Sequence, residues 1–370
     1  MLPITLHLPS ELCLRILHLA ISIPAGNKLY EVKYRPFFDI PTEDEYTLLR
    51  QCDNTCLTLA LVCKGWKDLA LEFLYKNVRL YHGTGYLLRS LTRDGSYYGK
   101  LVRRIDLSVD EYEYRRNPVT PADILRACRN VNVLVKNDDD LLPHSVHSVE
   151  LSSLKRFDWW YARYRDGNHR FQTEGDDASR GLDFLRQVVA NARNLIYLSV
   201  ACRRRDVLPT TYTPQVFALP AVETLRIELI DIDLRAEIEK WTFPSLKTLI
   251  MNSYLVWMNY SPLITDLELE VLELLEDSDF FQLHCLPDLL SVTKHLRELN
   301  YYVEHVLPSE PGATTSPSLR TIGLHSKPNP ILRFASWPSV SASENHAVEH
   351  FSMFSRVAFP SLERIILYDD

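Results

Sequence analysis

Three short stretches near the middle of the chain decide its fold: VETLRI at residues 222–227, LKTLIM at 246–251 and LEVLEL at 269–274. Each has apolar residues at its first, fourth and sixth positions, so its second half alternates like a β-strand with one buried face. Successive stretches begin 24 and 23 residues apart. This spacing predicts a repeating structure in which each repeat packs on its neighbours.

The same six-residue pattern, which we call the phrase, occurs seven more times, beginning at Val102, Val131, Leu154, Leu195, Leu296, Leu319 and Leu362. Seven of the nine steps measure 23 to 29 residues, and the two longer steps contain stretches 165–181 and 327–343, which we interpret as surface loops. Phrase and period resemble the leucine-rich repeat over about residues 101–370, although the usual Asn after each strand is missing. The register predicts eight core residues: Leu225, Ile227, Leu249, Met251, Leu272, Leu274, Ile322 and Leu324.

Parallel strands need crossover connections, and helical stretches before Leu195 (GLDFLRQVVANARN) and Leu296 (DLLSVTKH) suit that role. Alternation places the third, fifth and seventh phrase residues on the opposite, concave face. Glu273, Asn300, His325 and Tyr368 lie there, and the predicted target-binding residues are Arg156, Asp158, Trp160, Tyr197, Arg226, Asn252, Glu298 and Tyr302. Mixed charges and aromatics suit protein recognition, although ordinary solvated strands and the two loops are alternatives.

The N-terminal part contains two helical stretches, LPSELCLRILHLA at 8–20 and TCLTLALVCKGWKDLALEFLYKNVRL at 55–80. Their apolar residues recur at helical spacing. The insert between them, 21–54, contains three prolines and then a capping-box-type start at 42–45, which predicts a loop followed by a long second helix. Amphipathic helices this short must cover their apolar faces with each other, the rest of the chain or a partner.

The order Leu-Pro-x-Glu-Leu, Ile-Leu, Val-Cys-Lys-x-Trp and Leu-Tyr-x-x-Val resembles the F-box, in the long form common in fungal F-box proteins. Pro9, Glu11, Val62, Cys63 and Trp66 fall on motif positions. The resemblance implies a substrate-receptor (adaptor) subunit of a Skp/cullin/F-box ubiquitin ligase, which binds a Skp-type linker, and through it cullin, and holds an unknown target protein. The expected linker-binding residues are Leu8, Pro9, Leu12, Ile16, Leu59, Val62 and Trp66.

The predicted organisation is an N-terminal F-box at 1–80, a linker or N-terminal cap at 81–100 and an irregular leucine-rich-repeat solenoid with a parallel strand stack at 101–370, which makes the fold class α/β. A small-ligand receptor on the concave face, an F-box scaffold outside ubiquitin transfer and an unrecognised enzyme are the alternatives. A pocket with perturbed titratable groups would favour the enzyme.

Composition narrows the function classes. A net charge of −7 and a pI near 6.0 give no overall attraction to nucleic acid. Seven scattered cysteines without a Cys-x-x-Cys pair favour a reducing compartment, and we expect neither a signal peptide nor a membrane span, hence the cytoplasm or nucleus. The run FDWWYARYR at 157–165 mixes aromatics and cations, but Phe157 and Trp159 are core positions in the repeat register, so a loop or rim contact is favoured over base stacking.

Catalytic signals are weak. His144 and His147 lie near Asp138–Asp140 without a third strong ligand in a suitable framework, and there is no Gly-x-Ser-x-Gly motif. Cys63 lies in an apolar helical pattern, which predicts an inert packing role. We therefore expect no catalytic residue, no metal and no cofactor.

Overall fold

The structure is a computed structural model of the chain. It describes residues 9, 11–12, 15–16, 19, 33–37, 43–80, 84–93, 98–107, 119–138, 146, 148–161, 176–202, 213–229, 232–252, 268–275, 286–303, 306–308, 315–325 and 348–368. The predicted loop 327–343 lies outside these residues. Of the predicted loop 165–181, only 176–181 are described, and they are helical, so that loop ends earlier than predicted.

All ten phrases form strands, and each strand begins at the third residue of its phrase. One further strand precedes them. The strands are β1 Asn77–Arg79, β2 Arg104–Asp106, β3 Val133–Asp138, β4 Arg156–Tyr161, β5 Tyr197–Cys202, β6 Thr224–Leu229, β7 Thr248–Asn252, β8 Val271–Leu275, β9 Glu298–Tyr302, β10 Thr321–His325 and β11 Arg364–Tyr368.

Strand order follows chain order, and the described pairs are parallel. In the second half of the chain the fourth residue of each phrase pairs with the fourth residue of the next: Leu225 with Leu249, Leu249 with Leu272, Leu272 with Leu299 and Leu299 with Ile322. All five are 0% exposed. The predicted α/β class and register are confirmed, since the eight predicted core residues are at most 3% exposed.

Helices occupy the segments between strands and the N-terminal region. They are α1 Glu43–Ala60, α2 Lys64–Lys76, α3 Thr84–Thr92, α4 Tyr98–Leu101, α5 Pro121–Ala127, α6 Asp176–Asn191, α7 Ile232–Ile238 and α8 Leu286–Val292. Helices α6 and α8 coincide with the two predicted crossovers. Helix α1 begins inside the predicted start signal, and α5 has a complete capping box formed by Thr120 and Asp123.

The chain forms two compact units. The first comprises residues 1–33, 39–160 and 164–195, and the second comprises 34–38, 161–163 and 196–370. Residues 34–38 of the predicted N-terminal insert therefore belong to the unit otherwise built from the later strands. The predicted divisions at 80 and 100 stay predictions, but the strand series begins with β1, inside the predicted F-box segment.

Central strands of the second unit are buried on both faces of the sheet, whereas the last strand, β11, is partly exposed. Every residue of β7 and β10 is buried, as is usual for parallel strands covered on both faces. The third, fifth and seventh phrase positions, whose side of the sheet we call the odd face, are thus not a simple solvated surface. The polar side chains of the odd face need partners, because an unpaired polar group is costly to bury.

Candidate binding surfaces

Helix α1 and helix α2 form the best-described part of the N-terminal region. Cys56 of α1 is 2% exposed, and around it pack Cys52, Leu59, Trp66, Leu69, Phe73 and Leu74. Burial, followed by the charge of Asp53, raises the pKa of the Cys56 thiol to about 12. The helical stripe of the second stretch is therefore an internal seam between α1 and α2, with a protonated thiol at its centre.

The turn between α1 and α2 presents apolar residues to solvent. The Leu61 N–H donates to the Thr58 carbonyl at 3.1 Å, and the Val62 N–H donates to the Leu59 carbonyl at 3.1 Å. Cys63 then takes an extended conformation at the start of α2, with φ −162° and ψ 170°. Leu61 is 88% exposed and Val62 is 60% exposed. Cys63 is also exposed, so its predicted packing role is wrong; the packed cysteine is Cys56.

The first helical stretch also leaves apolar side chains in solvent. Its described residues Leu12, Ile16 and Leu19 are helical and 47%, 44% and 72% exposed. Leu19 and Arg15 line a cavity of about 530 Å³ with Glu72, Phe73, Lys76, Leu101 and Arg103. Half of the large hydrophobic side chains that are exposed among the described residues lie in residues 12–62. Such a concentration is typical of an interaction surface.

The predicted linker-binding residues divide into two groups. Pro9, Leu12, Ile16 and Val62 are exposed, whereas Leu59 and Trp66 belong to the seam around Cys56. Leu8 lies outside the described residues. The prediction assigned all seven to one linker-binding surface, and helical spacing could not divide them, because a period of 3.6 identifies an apolar stripe without telling which part of it covers a neighbouring helix.

The predicted target-binding residues are nearly all buried. Six of them are at most 5% exposed, Trp160 is 7% exposed and Glu298 is partly exposed. Arg156 and Arg226 each pair with an acidic residue that lies two positions further along the same strand face. Arg156 contacts Asp158 through two hydrogen bonds of 2.8 and 3.1 Å, and Arg226 lies 3.7 Å from Glu228. Their role in target binding stays a prediction.

A different arrangement lies on the odd face of β8 to β11. Here the acidic residue is Glu273, which is 1% exposed. Its Oε2 accepts a hydrogen bond from the Tyr34 hydroxyl at 2.7 Å and another from the Phe37 backbone N–H at 2.9 Å. Asn300 Nδ2 donates to the Tyr34 hydroxyl oxygen at 2.6 Å and to Glu298 Oε1 at 2.8 Å.

An aromatic pocket receives the Phe37 ring. Its centroid lies 5.2 Å from that of Tyr302, 4.8 Å from that of His325 and 4.9 Å from that of Tyr368. The Tyr302 and Tyr368 rings meet it edge-on, a favourable geometry for aromatic pairs. Phe37 has φ 56°, and no other non-glycine residue of the described part has a positive φ.

We call Tyr34-Arg35-Pro36-Phe37 the YRPF segment, and Glu273, Asn300, Tyr302, His325 and Tyr368 the aromatic-turn site. Burial, then the Glu273 charge and hydrogen bond, raise the pKa of Tyr34. Burial, then the charges of Glu298 and Glu273, raise the pKa of Tyr368. Both phenols are therefore neutral at physiological pH, and Tyr34 donates its hydroxyl hydrogen to Glu273.

Glycine at position 323 makes room for this site. A Cβ there would collide with the Asn300 side chain and lie 3.0 Å from Cε2 of Tyr368. Because the Asn300 amide occupies this space, it can reach both Tyr34 and Glu298.

Sequence reasoning placed all five residues of the aromatic-turn site on one face but missed the YRPF segment. Its hydrogen bonds to the site span 236 to 266 positions in the chain, and no periodic pattern links such distant residues. The available signal was local: two aromatics flank Arg35-Pro36 within a stretch interpreted only as a loop.

Nothing in the described residues resembles a metal centre, since no three His, Cys, Asp or Glu residues cluster there. His144 and His147 lie outside those residues. The buried His350 Nδ1 lies 2.9 Å from the Tyr301 hydroxyl, and both residues are 0% exposed, so this pair is part of the core. In the part of the chain that is described, no helix has the length and apolar character needed to cross a bilayer.

Comparison with known proteins yields no match, either among protein-family models or among curated proteins. Family membership therefore rests on the residues that resemble the F-box and the leucine-rich repeat, and both assignments are proposals.

Proposed function

We propose that the chain is a substrate-receptor subunit of a Skp/cullin/F-box ubiquitin ligase. In this proposal the N-terminal helices bind a Skp-type linker, and an irregular leucine-rich-repeat region captures a target protein. The chain itself performs no chemistry. It raises the effective concentration of target lysines near the ubiquitin-conjugating enzyme that the ligase recruits.

The observation that carries the proposal is the exposure of Leu12, Ile16 and Val62, at 47%, 44% and 60%. These residues lie in the two stretches that resemble the F-box, and Pro9 beside them is also exposed. Apolar side chains that a fold leaves in water on short helices stabilise a complex when a partner covers them. Exposure and motif position thus agree for these residues.

Trp66 has a different role in this proposal. It packs in the seam around Cys56, so its replacement weakens the α1–α2 pair and lowers linker binding only indirectly. The exposed residues give the cleaner test.

The test is linker binding by the full-length protein carrying Leu12→Asp, Ile16→Asp and Val62→Asp. Each side chain contributes about 1–2 kcal/mol on burial, and a charge opposes burial further, so we expect affinity to fall at least about 100-fold. Biolayer interferometry with a purified Skp-type linker measures it.

A matched control replaces three exposed valines elsewhere: Val216, Val348 and Val357, which are 74%, 64% and 94% exposed. The same change to Asp at these positions should leave affinity within about threefold, because residues outside an interface contribute little. Equal loss in both triple variants, or no loss in the first, contradicts the assigned surface. Absence of linker binding by the unchanged protein contradicts the proposed function itself.

A further inference from the structure

The chemistry of the aromatic-turn site is that of a ligand-binding site, although its occupant is part of the same chain. A segment that only shielded leucine-rich strands would do so with apolar side chains, since buried polar groups need partners to be tolerated. Instead, Glu273 accepts one hydrogen bond from a side chain and one from a backbone N–H of the YRPF segment. The site therefore recognises both the identity of Tyr34 and the course of the backbone at Phe37.

The backbone of the segment supports the same interpretation. Phe37 holds φ 56°, which is unfavourable for a residue with a bulky side chain and persists where the surroundings determine it. Phe37 makes both the ring contacts with the aromatic pocket and the backbone N–H hydrogen bond to Glu273. The site thus selects a tight turn with aromatic residues at its first and fourth positions.

The site contains one further hydrogen-bond acceptor. Asn300 Oδ1 is buried and has no hydrogen-bond partner among the described residues. The bonds of Asn300 Nδ2 to Tyr34 and Glu298 fix the orientation of the amide, because both acceptors face that nitrogen. A ligand with one more N–H near this oxygen gains a bond that the YRPF segment does not make.

We propose that the aromatic-turn site is a peptide-recognition site for a Tyr-x-x-Phe turn, and that the YRPF segment fills it as an internal ligand which a target protein displaces. This inference rests on the proposed function, in which the repeat region captures a protein, and it names the chemistry of the target segment. Side-chain hydrogen bonding to Glu273 specifies Tyr, and the three-ring pocket specifies Phe.

Tethering gives the internal ligand an advantage over any peptide in solution. A ligand within the same chain has an effective concentration that reaches the millimolar range for short connections, and a partner binds only the fraction of molecules whose site is open. Removing the internal ligand should therefore reveal affinity that the unchanged protein conceals.

The experiment uses the full-length protein with Tyr34→Ala and Phe37→Ala together. The probe is a fluorescein-labelled decapeptide with the sequence of residues 31–40, EVKYRPFFDI, and fluorescence anisotropy measures binding. We expect the double variant to bind it at least tenfold more tightly than the unchanged protein. Equal binding by the two proteins overturns the inference and makes the YRPF segment a permanent part of the fold.

Peptide variants test recognition without altering the protein. Ala at the position of Tyr34 or of Phe37 in the peptide should weaken binding to the double variant at least tenfold, whereas Ala at the position of the exposed Lys33, before the turn, should change it less than threefold. Uniform effects at all three positions overturn the assigned turn. If the double variant folds poorly by circular dichroism, the single variant Phe37→Ala replaces it in the same measurements.

A matched control removes two aromatics from elsewhere, Tyr86→Ala with Phe351→Ala, which are 74% and 40% exposed. This control should bind the decapeptide no better than the unchanged protein; equal gain in both double variants overturns the inference. Linker binding is measured on every variant. Intact linker binding without peptide binding rejects the peptide site alone, whereas peptide binding without linker binding by the unchanged protein rejects the ligase assignment and retains the site.

Discussion

The α1–α2 turn in the first unit and the aromatic-turn site in the second depart from the usual burial pattern in opposite directions. Leu61 is 88% exposed, whereas Glu273 is 1% exposed and Asn300 is 0% exposed. Isolated exposed leucines are ordinary in folded proteins, whereas buried carboxyl groups are rare. A buried carboxyl group is therefore the stronger indication of a specific site. The exposed residues indicate an interaction surface because they are numerous and lie at motif positions. Glu273 indicates a binding site because two groups of a distant segment donate hydrogen bonds to it.

The odd face itself contains a second contrast. Arg156 and Asp158 neutralise each other within one strand, whereas Glu273 accepts hydrogen bonds from the distant Tyr34 and Phe37. A strand that pairs its own charges needs no ligand. A strand whose acid is held by a separate segment has a site that another segment of the same chemistry can enter.

The largest expected effect compares two leucines. Leu249 is 0% exposed and Leu61 is 88% exposed. Leu249→Ala should lower the free energy of unfolding by about 2–5 kcal/mol through lost apolar burial and a cavity, whereas Leu61→Ala should change it by less than about 0.5 kcal/mol. Urea denaturation followed by circular dichroism measures both. Similar values for the two variants would contradict the register of the strands or the exposure of the turn.

An intermediate effect separates two glutamates only three positions apart. Glu273→Ala leaves the Tyr34 hydroxyl and the Phe37 N–H without their acceptor, which should cost about 1–3 kcal/mol. Glu270 instead pairs with Arg297 at 3.4 Å in an exposed position, and Glu270→Ala should cost less than about 1 kcal/mol. Urea midpoints give the comparison, and a Glu273 variant as stable as the Glu270 variant argues against a tightly held YRPF segment.

A third comparison concerns the α1–α2 seam at alkaline pH. The pKa of Cys56 rises from 9.0 to about 12 on folding, so between these values the folded chain retains a proton that the unfolded chain loses. Stability therefore falls as pH rises from 9 toward 12. The fall should be shallower in Cys56→Ala than in the unchanged protein, and thermal unfolding across this pH range measures it. The matched variant Cys63→Ala, at an exposed cysteine, should retain the slope of the unchanged protein.

The strands were predictable because their signal is local. An apolar residue at every second position within six residues marks a strand and its buried face together, and all ten starts follow from that pattern. Strand β1 was missed, since its sequence Asn-Val-Arg contains a single apolar residue and continues the helical stretch of α2. Three residues are too few to show a period.

The binding surfaces were less predictable, for two physical reasons. Helical spacing cannot tell a stripe that faces another helix from one that faces water, which is why Trp66 and Val62 were grouped although Trp66 packs in the seam and Val62 is 60% exposed. The aromatic-turn site depends on a contact between residues 239 positions apart, Tyr34 and Glu273. Long-range pairing depends on the folded geometry and leaves no trace in neighbouring residues.

That separation has a consequence for synthesis on the ribosome. Chains grow at about 5–20 residues per second, so Phe37 emerges roughly 10–50 seconds before Glu273, which follows 236 positions later. During this interval the nascent chain carries an aromatic turn with no site to enter. Chaperones that bind exposed aromatic segments have this time to act, and the last strands complete the second unit by capturing a segment translated long before them.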